Sequence, residues 1–411
     1  MNTADGQDKG TRTNRIDLRF MKAGTINSFD LKDEYGTVVI EAYTALDQAL
    51  INHLLGKGVQ HLYYTEPEKH DAAKSAGGID LATNAVSESL QRESIDQARD
   101  ILEYVRESFN VDPGRTINTA MLAKSRGVVE KILDGYEKNK NAAFSPVAKL
   151  KSMDEYTLVH SSNVSTLAAI LGTRLELSKD IRIGMGVGGL FHDIGKTSLS
   201  DAIVLKAGKL SDEEFDRMKE HPHVGYKFVE GNPSMHDIEK RIILLHHESP
   251  DANGYPFGMD LEHYQKNVPR EIRLLTICDV YSALTTERPY GRPYAPREAL
   301  RILLNSIYAP YKKKYRFLPN DLRDFIRSMG FILNNGEFFF DRGDVVRLNS
   351  GEIGVIEGMN RLYPLNPVIR VIADRESRKL KRPIVVDMLK EYNSYIAHLF
   401  DKGAGAVAPS A

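Results

Sequence analysis

The sequence predicts a mainly α protein: a helical bundle that takes up most of the chain, a small α+β module before it and a small β unit after it. Three observations carry that reading. From Ala82 to about Gly330, apolar residues recur at helical spacing almost throughout. Short β-type runs stand on either side, at Gly36 to Ile40 and His61 to Tyr64, and again from Glu337 to about Val386. Eight of the twelve histidines (160, 192, 221, 223, 236, 246, 247 and 263) lie within the helical stretch, which marks it as the chemically specialised part.

Taken in order, residues 1–67 form the α+β module, with an amphipathic stretch from Asp47 to Leu55 between the β runs. Residues 68–81 (EKHDAAKSAGGIDL) lack periodicity and contain a Gly-Gly pair, so they read as a linker. The helical domain, 82–330, is broken at Pro113-Gly114, Gly208, Gly231 to Pro233, Pro250 to Gly258 and Pro289 to Pro296. In 337–400 the spacing shortens around Gly343, Gly351, Gly354 and Gly358, as in an antiparallel β extension, and a short helix is expected from Val386 to Phe400. The tail, 401–411, is expected to be disordered.

Composition narrows the function. A chain of 411 residues has room for two or three domains. Lys and Arg number 55 against 56 Asp and Glu, so no broad basic field exists to hold DNA or RNA, and the Tyr311 to Tyr315 lysine cluster reads as solvated surface. Cys278 is the only cysteine, which excludes a disulfide framework or multi-cysteine zinc site and suits a reducing cytoplasm. No run approaches the roughly 18 to 20 apolar residues of a membrane span. A soluble, cytoplasmic protein is expected.

Histidine and carboxylate without thiolates are the ligand set of Fe, Mn, Zn, Ni or Co. The sharpest elements are His192-Asp-Ile-Gly-Lys196, His246-His-Glu248 and Cys278-Asp-Val-Tyr281, each ending or lying within an apolar helical stretch. Adjacent residues diverge by roughly 100° on a helix, so His192 and Asp193 share a site only at a helix flank or end. From there Asp193 is able to bridge two cations, an arrangement that permits a bound hydroxide at neutral pH and orients a phosphoester. Lys196 follows Asp193 by three residues, close enough to share its helical face and neutralise phosphoryl charge. A lone His-Asp pair would read as core. In the company of His160, His221, His246, His247 and Asp279 on separate helices, it reads as a metal centre.

The order of these residues resembles the HD superfamily of metal-dependent phosphohydrolases. Its HD-GYP branch, which hydrolyses the bacterial messenger cyclic di-GMP, is matched by His160 to Val164, His192 to Lys196, His221 to Gly225, His246 to Glu248, Gly254-Tyr255-Pro256, and Asp279 to Leu284 with Arg288 to Tyr290. The match covers about Met153 to Tyr294. It implies an HD-type helical bundle and two divalent metal ions, Fe or Mn foremost, held by His160, His192, Asp193, His221, His246, His247 and Asp279. By the same resemblance a metal-bridging hydroxide cleaves cyclic di-GMP to pGpG, with GMP as a further product where hydrolysis continues. Asp193 and Lys196 are the expected catalytic residues, and Gly254, Tyr255, Pro256 and Arg288 the expected substrate contacts. Some relatives hold a third ion through a Glu four residues before the first histidine. Tyr156 stands there, so two ions are expected.

The remaining residues take lesser roles. His223, His236 and His263 match no family role, and Cys278 reads as a small buried hydrophobe. The N-terminal module resembles a regulatory module through which a protein partner would act, and a homodimer is compatible with such an arrangement. Four positions depart from the family pattern: Ser249, Ala252, Ser282 and Gly291, all read as part of the substrate-recognition shell. They leave open a phosphohydrolase for another nucleotide. A non-catalytic cyclic di-GMP receptor is the remaining alternative, although its signature, a damaged ligand set, is missing.

Overall fold

The computed structural model describes residues 12–18, 25–26, 31–34, 37–40, 45–46, 48–66, 86–111, 115–138, 155–206, 208–287, 293–307, 316–329, 339–360, 365–391 and 394–400. The expected linker 68–81 and the tail 401–411 lie outside them. The chain divides into two compact units, residues 1–78, 340–396 and 400–411 in one and residues 79–339 and 397–399 in the other.

The first unit contains the predicted β runs. Strands β1 (Arg12–Asp17), β2 (Thr25–Ile26), β3 (Leu31–Lys32), β4 (Val38–Ile40) and β5 (Ala45–Leu46) precede helix α1 (Gln48–Gly56) and strand β6 (His61–Glu66). The four-stranded sheet has the order β1-β6-β3-β4, and β2 pairs with β5. Ile51 and Leu54 of α1 bury their side chains with Leu18, Leu31, Ile40 and Leu62, which makes the amphipathic stretch a helix on a small sheet core.

The C-terminal strands are β7 (Val345–Leu348), β8 (Ile353–Gly358), β9 (Val368–Ala373), β10 (Lys379–Asp387) and β11 (Ile396–Leu399), in the sheet order β10-β9-β8-β7-β11. Alternating burial along β7 and β9 is the period-2 signature that the sequence predicted. The helix expected from Val386 to Phe400 is not formed. β10 continues to Asp387, a turn follows, and Ile396–Leu399 is a strand. A short apolar run has no periodicity that separates helix from strand. Backbone partners decided it: Asn349 N–H donates to Tyr395 O at 2.9 Å and Phe400 N–H to Val345 O at 3.0 Å.

The second unit is the helical bundle. Its helices are α2 (Glu88–Val111), α3 (Thr119–Lys138), α4 (Tyr156–Arg174), α5 (Lys179–Phe191), α6 (Asp201–Val204), α7 (Asp212–Met218), α8 (His221–Val229), α9 (Asp237–Leu245), α10 (Leu261–Asn267), α11 (Arg270–Thr285), α12 (Pro296–Ile307) and α13 (Pro319–Met329), with a 3-10 helix at Ile194–Ser198. Local chemistry sets several starts. The Ser178 side chain accepts from Ile181 N–H at α5, and a capping box between Ser211 and Glu214 opens α7.

α4 is the central helix, buried on nearly every side and packed against α2, α3, α5 and α11. Residues of α2, α3, α5, α8 and α9, among them Ile101, Val129, Leu190, Phe191, Val229 and Ile243, form the main core around it. Polar Ser161, Ser162, Asn163, Ser165 and Thr166 are buried on α4, and Thr166 satisfies itself by donating to Ser162 O at 2.9 Å. α5 approaches α4 closely at Gly189, where a Cβ would stand 2.7 Å from Ser165 Cα and 2.8 Å from Ser165 N. Those are backbone atoms and cannot swing aside. Gly189→Ala is expected to destabilise the helical unit by about 1–3 kcal/mol, the cost of overpacking, measured as a lower urea midpoint at unchanged slope.

Candidate metal centre

The seven predicted ligands come together from five elements. His160 lies in the second turn of α4 and Asp279 in the middle of α11; His192 closes α5, His221 opens α8 and His246 closes α9. Both adjacent pairs, His192-Asp193 and His246-His247, therefore sit at helix ends, as their side-chain divergence requires. After His192 the backbone leaves the α-helix at Asp193 (φ −99°, ψ 8°) and enters the 3-10 helix. In that geometry residues three apart eclipse, and Lys196 Nζ donates to Asp193 Oδ2 at 2.6 Å. Gly195 lets this turn lie on the first turn of α8, since a Cβ there would be 1.9 Å from His221 O.

Two ligand groups result, Asp193-His221-His246-His247 and His160-His192-Asp279, with the ligand atoms in each lying within 4.8 Å of one another. Asp193 touches both. Its Oδ1 lies 3.3 Å from His221 Nε2 and 3.7 Å from His246 Nε2, while Oδ2 lies 3.3 Å from His192 Nε2. Asp279 is the second link: Oδ1 is 2.9 Å from His160 Nε2 and 3.9 Å from His192 Nε2, and Oδ2 is 4.0 Å from His247 Nδ1.

The outer nitrogens fix the rings. His192 Nδ1 is 2.8 Å from Gly189 O, His221 Nδ1 is 2.8 Å from Met218 O, and His246 Nδ1 is 3.0 Å from Ile243 O. Carbonyls only accept, so each Nδ1 carries a proton and, in the neutral ring, each Nε2 presents a lone pair inward. Two such lone pairs, on His221 and His246, face each other at 3.3 Å. Among the described residues, His192 Nε2 and Asp193 Oδ1 are buried with no hydrogen-bond partner. Converging lone pairs and orphaned buried acceptors are what a cation satisfies. The donor set fits divalent transition metals.

Electrostatics agree. Two buried carboxylates face one ammonium, and burial penalises their charge unless further positive charge balances it. Burial alone would raise Asp193, yet the charges of His192 and Lys196 carry it well below the usual carboxylate range. Asp279 is likewise held far down, against burial, by its hydrogen bond to His160. Burial pushes His221 down to about 4 and His247 well below the ordinary imidazole value. Burial lowers His192, but the charge and hydrogen bond of Asp193 together with the charge of Asp279 carry it up.

The residues expected on the substrate side are placed unevenly. Tyr255 stacks on His247 with ring centroids 4.6 Å apart. Gly254 lies against the chain just after the histidine pair, where a Cβ would be 2.3 Å from Ser249 N, and Pro256 follows in the same loop. Arg288 and Gly291 lie outside the described residues. Buried Glu248 holds the loop by accepting from Phe257 N–H at 2.6 Å and Met259 N–H at 3.2 Å. Ala252 adopts φ 61°, a left-handed conformation that strains a residue with a Cβ, and Ser249 donates to Asp251 Oδ1 at 2.6 Å.

Ser282 does not belong to the substrate shell. It lies three residues beyond Asp279 on α11, is fully buried, and its Oγ is 3.0 Å from His160 Nδ1. The shared helical face turns it toward the ligand it orients. Tyr156 stacks on His160, with ring centroids 5.7 Å apart and planes 6° apart. His223 is exposed, His236 caps α9, and His263 pairs with Asp260 at 2.8 Å. Cys278 is buried, and burial pushes its thiol up. The roles of Glu248 and Ser282 were missed in the sequence; an acid directly before a Pro/Gly loop was the available signal for Glu248.

The bundle carries two groups of side chains able to hold metal ions. Residues 139–307 match the family described as HD domain, and residues 345–404 match a KOW domain associated with the HD domain. The chain is 32% identical over 275 residues to a cyclic di-GMP phosphodiesterase of Pseudomonas aeruginosa, an alignment covering 67% of this chain and 61% of that protein. It is 30% identical over 191 residues to a 3'3'-cGAMP-specific phosphodiesterase of Vibrio cholerae, covering 44% of this chain and 39% of the relative. An HDG"Y"P protein from Bdellovibrio bacteriovorus aligns in structure with a TM-score of 0.46 at 16% identity, over 76% of this chain and 98% of that one. The helical unit carries an HD-domain match. The chain spans about 60% of the length of the Pseudomonas relative. Among the described residues, no helix is long and apolar enough to cross a membrane.

Metal binding should displace protons from the ligand imidazoles, His192 above all because its proton is held more tightly than usual. Apparent affinity for Mn²⁺ is therefore expected to rise with pH through and above the ordinary histidine value near 6.5. Calorimetric titrations at pH 5.5, 6.5 and 7.5 check it; an affinity independent of pH would show that the imidazoles are not ligands.

Proposed function

We propose that the protein is a metal-dependent phosphodiesterase that hydrolyses cyclic di-GMP to pGpG, with GMP as a further product where hydrolysis continues. One observation carries the reading: buried Asp193 turns one carboxylate oxygen to each of two ligand groups and receives the Lys196 ammonium. The seven ligands His160, His192, Asp193, His221, His246, His247 and Asp279 would hold two divalent ions, Fe or Mn in the first instance. Tyr156 offers a phenol in place of the carboxylate that a third ion would need. Two bound ions would supply Lewis acidity and lower the pKa of a water between them.

The chain's own residues do the rest. His192, His221 and His246 are held in one tautomer by the backbone, so these rings need no reorganisation when a charged ester arrives. Lys196 offers positive charge beside the bridge for a phosphoryl oxygen. Gly254, Tyr255 and Pro256 would form the wall of the substrate cleft, and Arg288 would contact phosphate or base. The resemblance to cyclic dinucleotide phosphodiesterases supports this class of substrate. A second cyclic dinucleotide remains the rival, favoured by Ser249 and Ala252 in the substrate loop and by the cGAMP-specific relative. The intact ligand set argues against a non-catalytic receptor.

On this reading residues 1–67 are a regulatory module that a protein partner or a second copy would engage, and 337–400 an extension of the HD-GYP domain. A nucleotide substrate and a single thiol suit the cytoplasm.

Elemental analysis of anaerobically purified protein is expected to give two metals per chain, and Asp193→Ala to lose metal and hydrolysis together. Lys196→Ala should keep both ions and lose at least about tenfold in rate. Turnover is followed as pGpG release from cyclic di-GMP, with cGAMP in parallel. Wild-type turnover by the Asp193 variant would refute the mechanism, and cleavage of cGAMP alone would assign the rival substrate.

A further inference from the structure

The aromatic rings of the metal centre continue outward past its ligands. Tyr255 lies 4.6 Å from His247 and 6.2 Å from His221 between ring centroids. Phe215 of α7 then meets Tyr255 edge to face, at 6.3 Å and 85°. Phe215 nevertheless remains 46% exposed. Four residues on, Lys219 holds its Nζ 5.2 Å from the Phe215 centroid, and Asp216 Oδ1 fixes that ammonium at 2.6 Å.

Core packing does not account for Phe215. None of the residues of α7 is buried, so its largest apolar side chain is not an anchor. The helix is instead held by its capping box and by an ion pair between Lys206 and Glu214. A single exposed apolar residue is ordinary. Here the ring is joined through Tyr255 to His247, on a helix fixed by polar contacts, with the Lys219 ammonium over it.

Bases bind aromatic faces by stacking, and a neighbouring cation adds a directional contact. Guanine presents two acceptors, O6 and N7, on one edge, whereas adenine replaces O6 by an amino donor. A lysine can donate to both guanine acceptors and is opposed by the adenine amino group. We infer that Phe215 and Lys219 form a base-binding subsite beside the metal centre, with Phe215 stacking on a purine and Lys219 selecting guanine. The subsite rests on the nucleotide substrate proposed above and adds the residues that choose the base.

The test uses equilibrium binding to the Mn²⁺-loaded full chain, with GMP, AMP and ribose 5-phosphate as probes. Wild type should bind GMP more tightly than AMP, and AMP more tightly than ribose 5-phosphate. Phe215→Ala should weaken both nucleotides at least about fivefold while ribose 5-phosphate binding stays within about twofold. Phe215→Leu, which keeps apolar bulk without the π face, should show the same selective loss, and Phe215→Trp should retain nucleotide binding. Lys219→Gln should weaken GMP and spare AMP.

Equal or undetectable binding of all three probes by wild type would overturn the subsite. So would an equal loss for ribose 5-phosphate and GMP in both Phe215 variants, and an equal loss of GMP and AMP in Lys219→Gln would remove its guanine selection. Turnover of cyclic di-GMP on the same preparations reports separately: base selectivity without turnover retains the subsite and refutes the phosphodiesterase. Turnover without base selectivity does the reverse.

Discussion

Burial of Asp193 between two sets of inward-facing imidazoles is the constraint on which the helical unit depends. A carboxylate in that position is costly unless countercharge surrounds it. Lys196 supplies part of that charge from the next turn, and the tightness of the 3-10 helix places it there. The inward-facing nitrogens of His192, His221 and His246 suit cations.

The surrounding fold makes that burial feasible. Gly189 lets α5 lie on α4, bringing His192 toward His160, and Gly195 lets the 3-10 helix lie on α8, bringing Asp193 toward His221. The backbone carbonyls of Gly189, Met218 and Ile243 each receive an imidazole Nδ1. These carbonyls stand at helix ends, where the intrahelical ladder leaves acceptors free. Helix termination thus places a ligand and also chooses its tautomer. Ser282 orients the His160 ring from within α11 through the contact of its Oγ with Nδ1.

The substrate loop has a different basis. Glu248 follows the histidine pair, is fully buried, and holds the backbone at Phe257 and Met259. The loop accepts Ala252 in a left-handed conformation that a glycine would adopt without cost. The departures at Ser249 and Ala252 therefore leave the loop anchored at the metal centre through Glu248 and the stacking of Tyr255 on His247.

The sequence alone determined the helical class of 82–330, the α+β character of the N-terminal runs and the identity of the residues that converge in two groups able to hold a metal ion. Hydrophobic periodicity reports directly on buried helix faces, and clustered histidines report on ligand chemistry. Tertiary structure decided the rest. Whether Ile396–Leu399 became helix or strand depended on backbone partners distant in sequence, and the orientation of Ser282 toward His160 depended on the packing of α11 against α4. Which oxygen of Asp193 faces which histidine, and how Phe215 comes to extend the ring contacts of His247 and Tyr255, follow from distances between helices. Local spacing fixes a face of one helix; only packing fixes what that face meets.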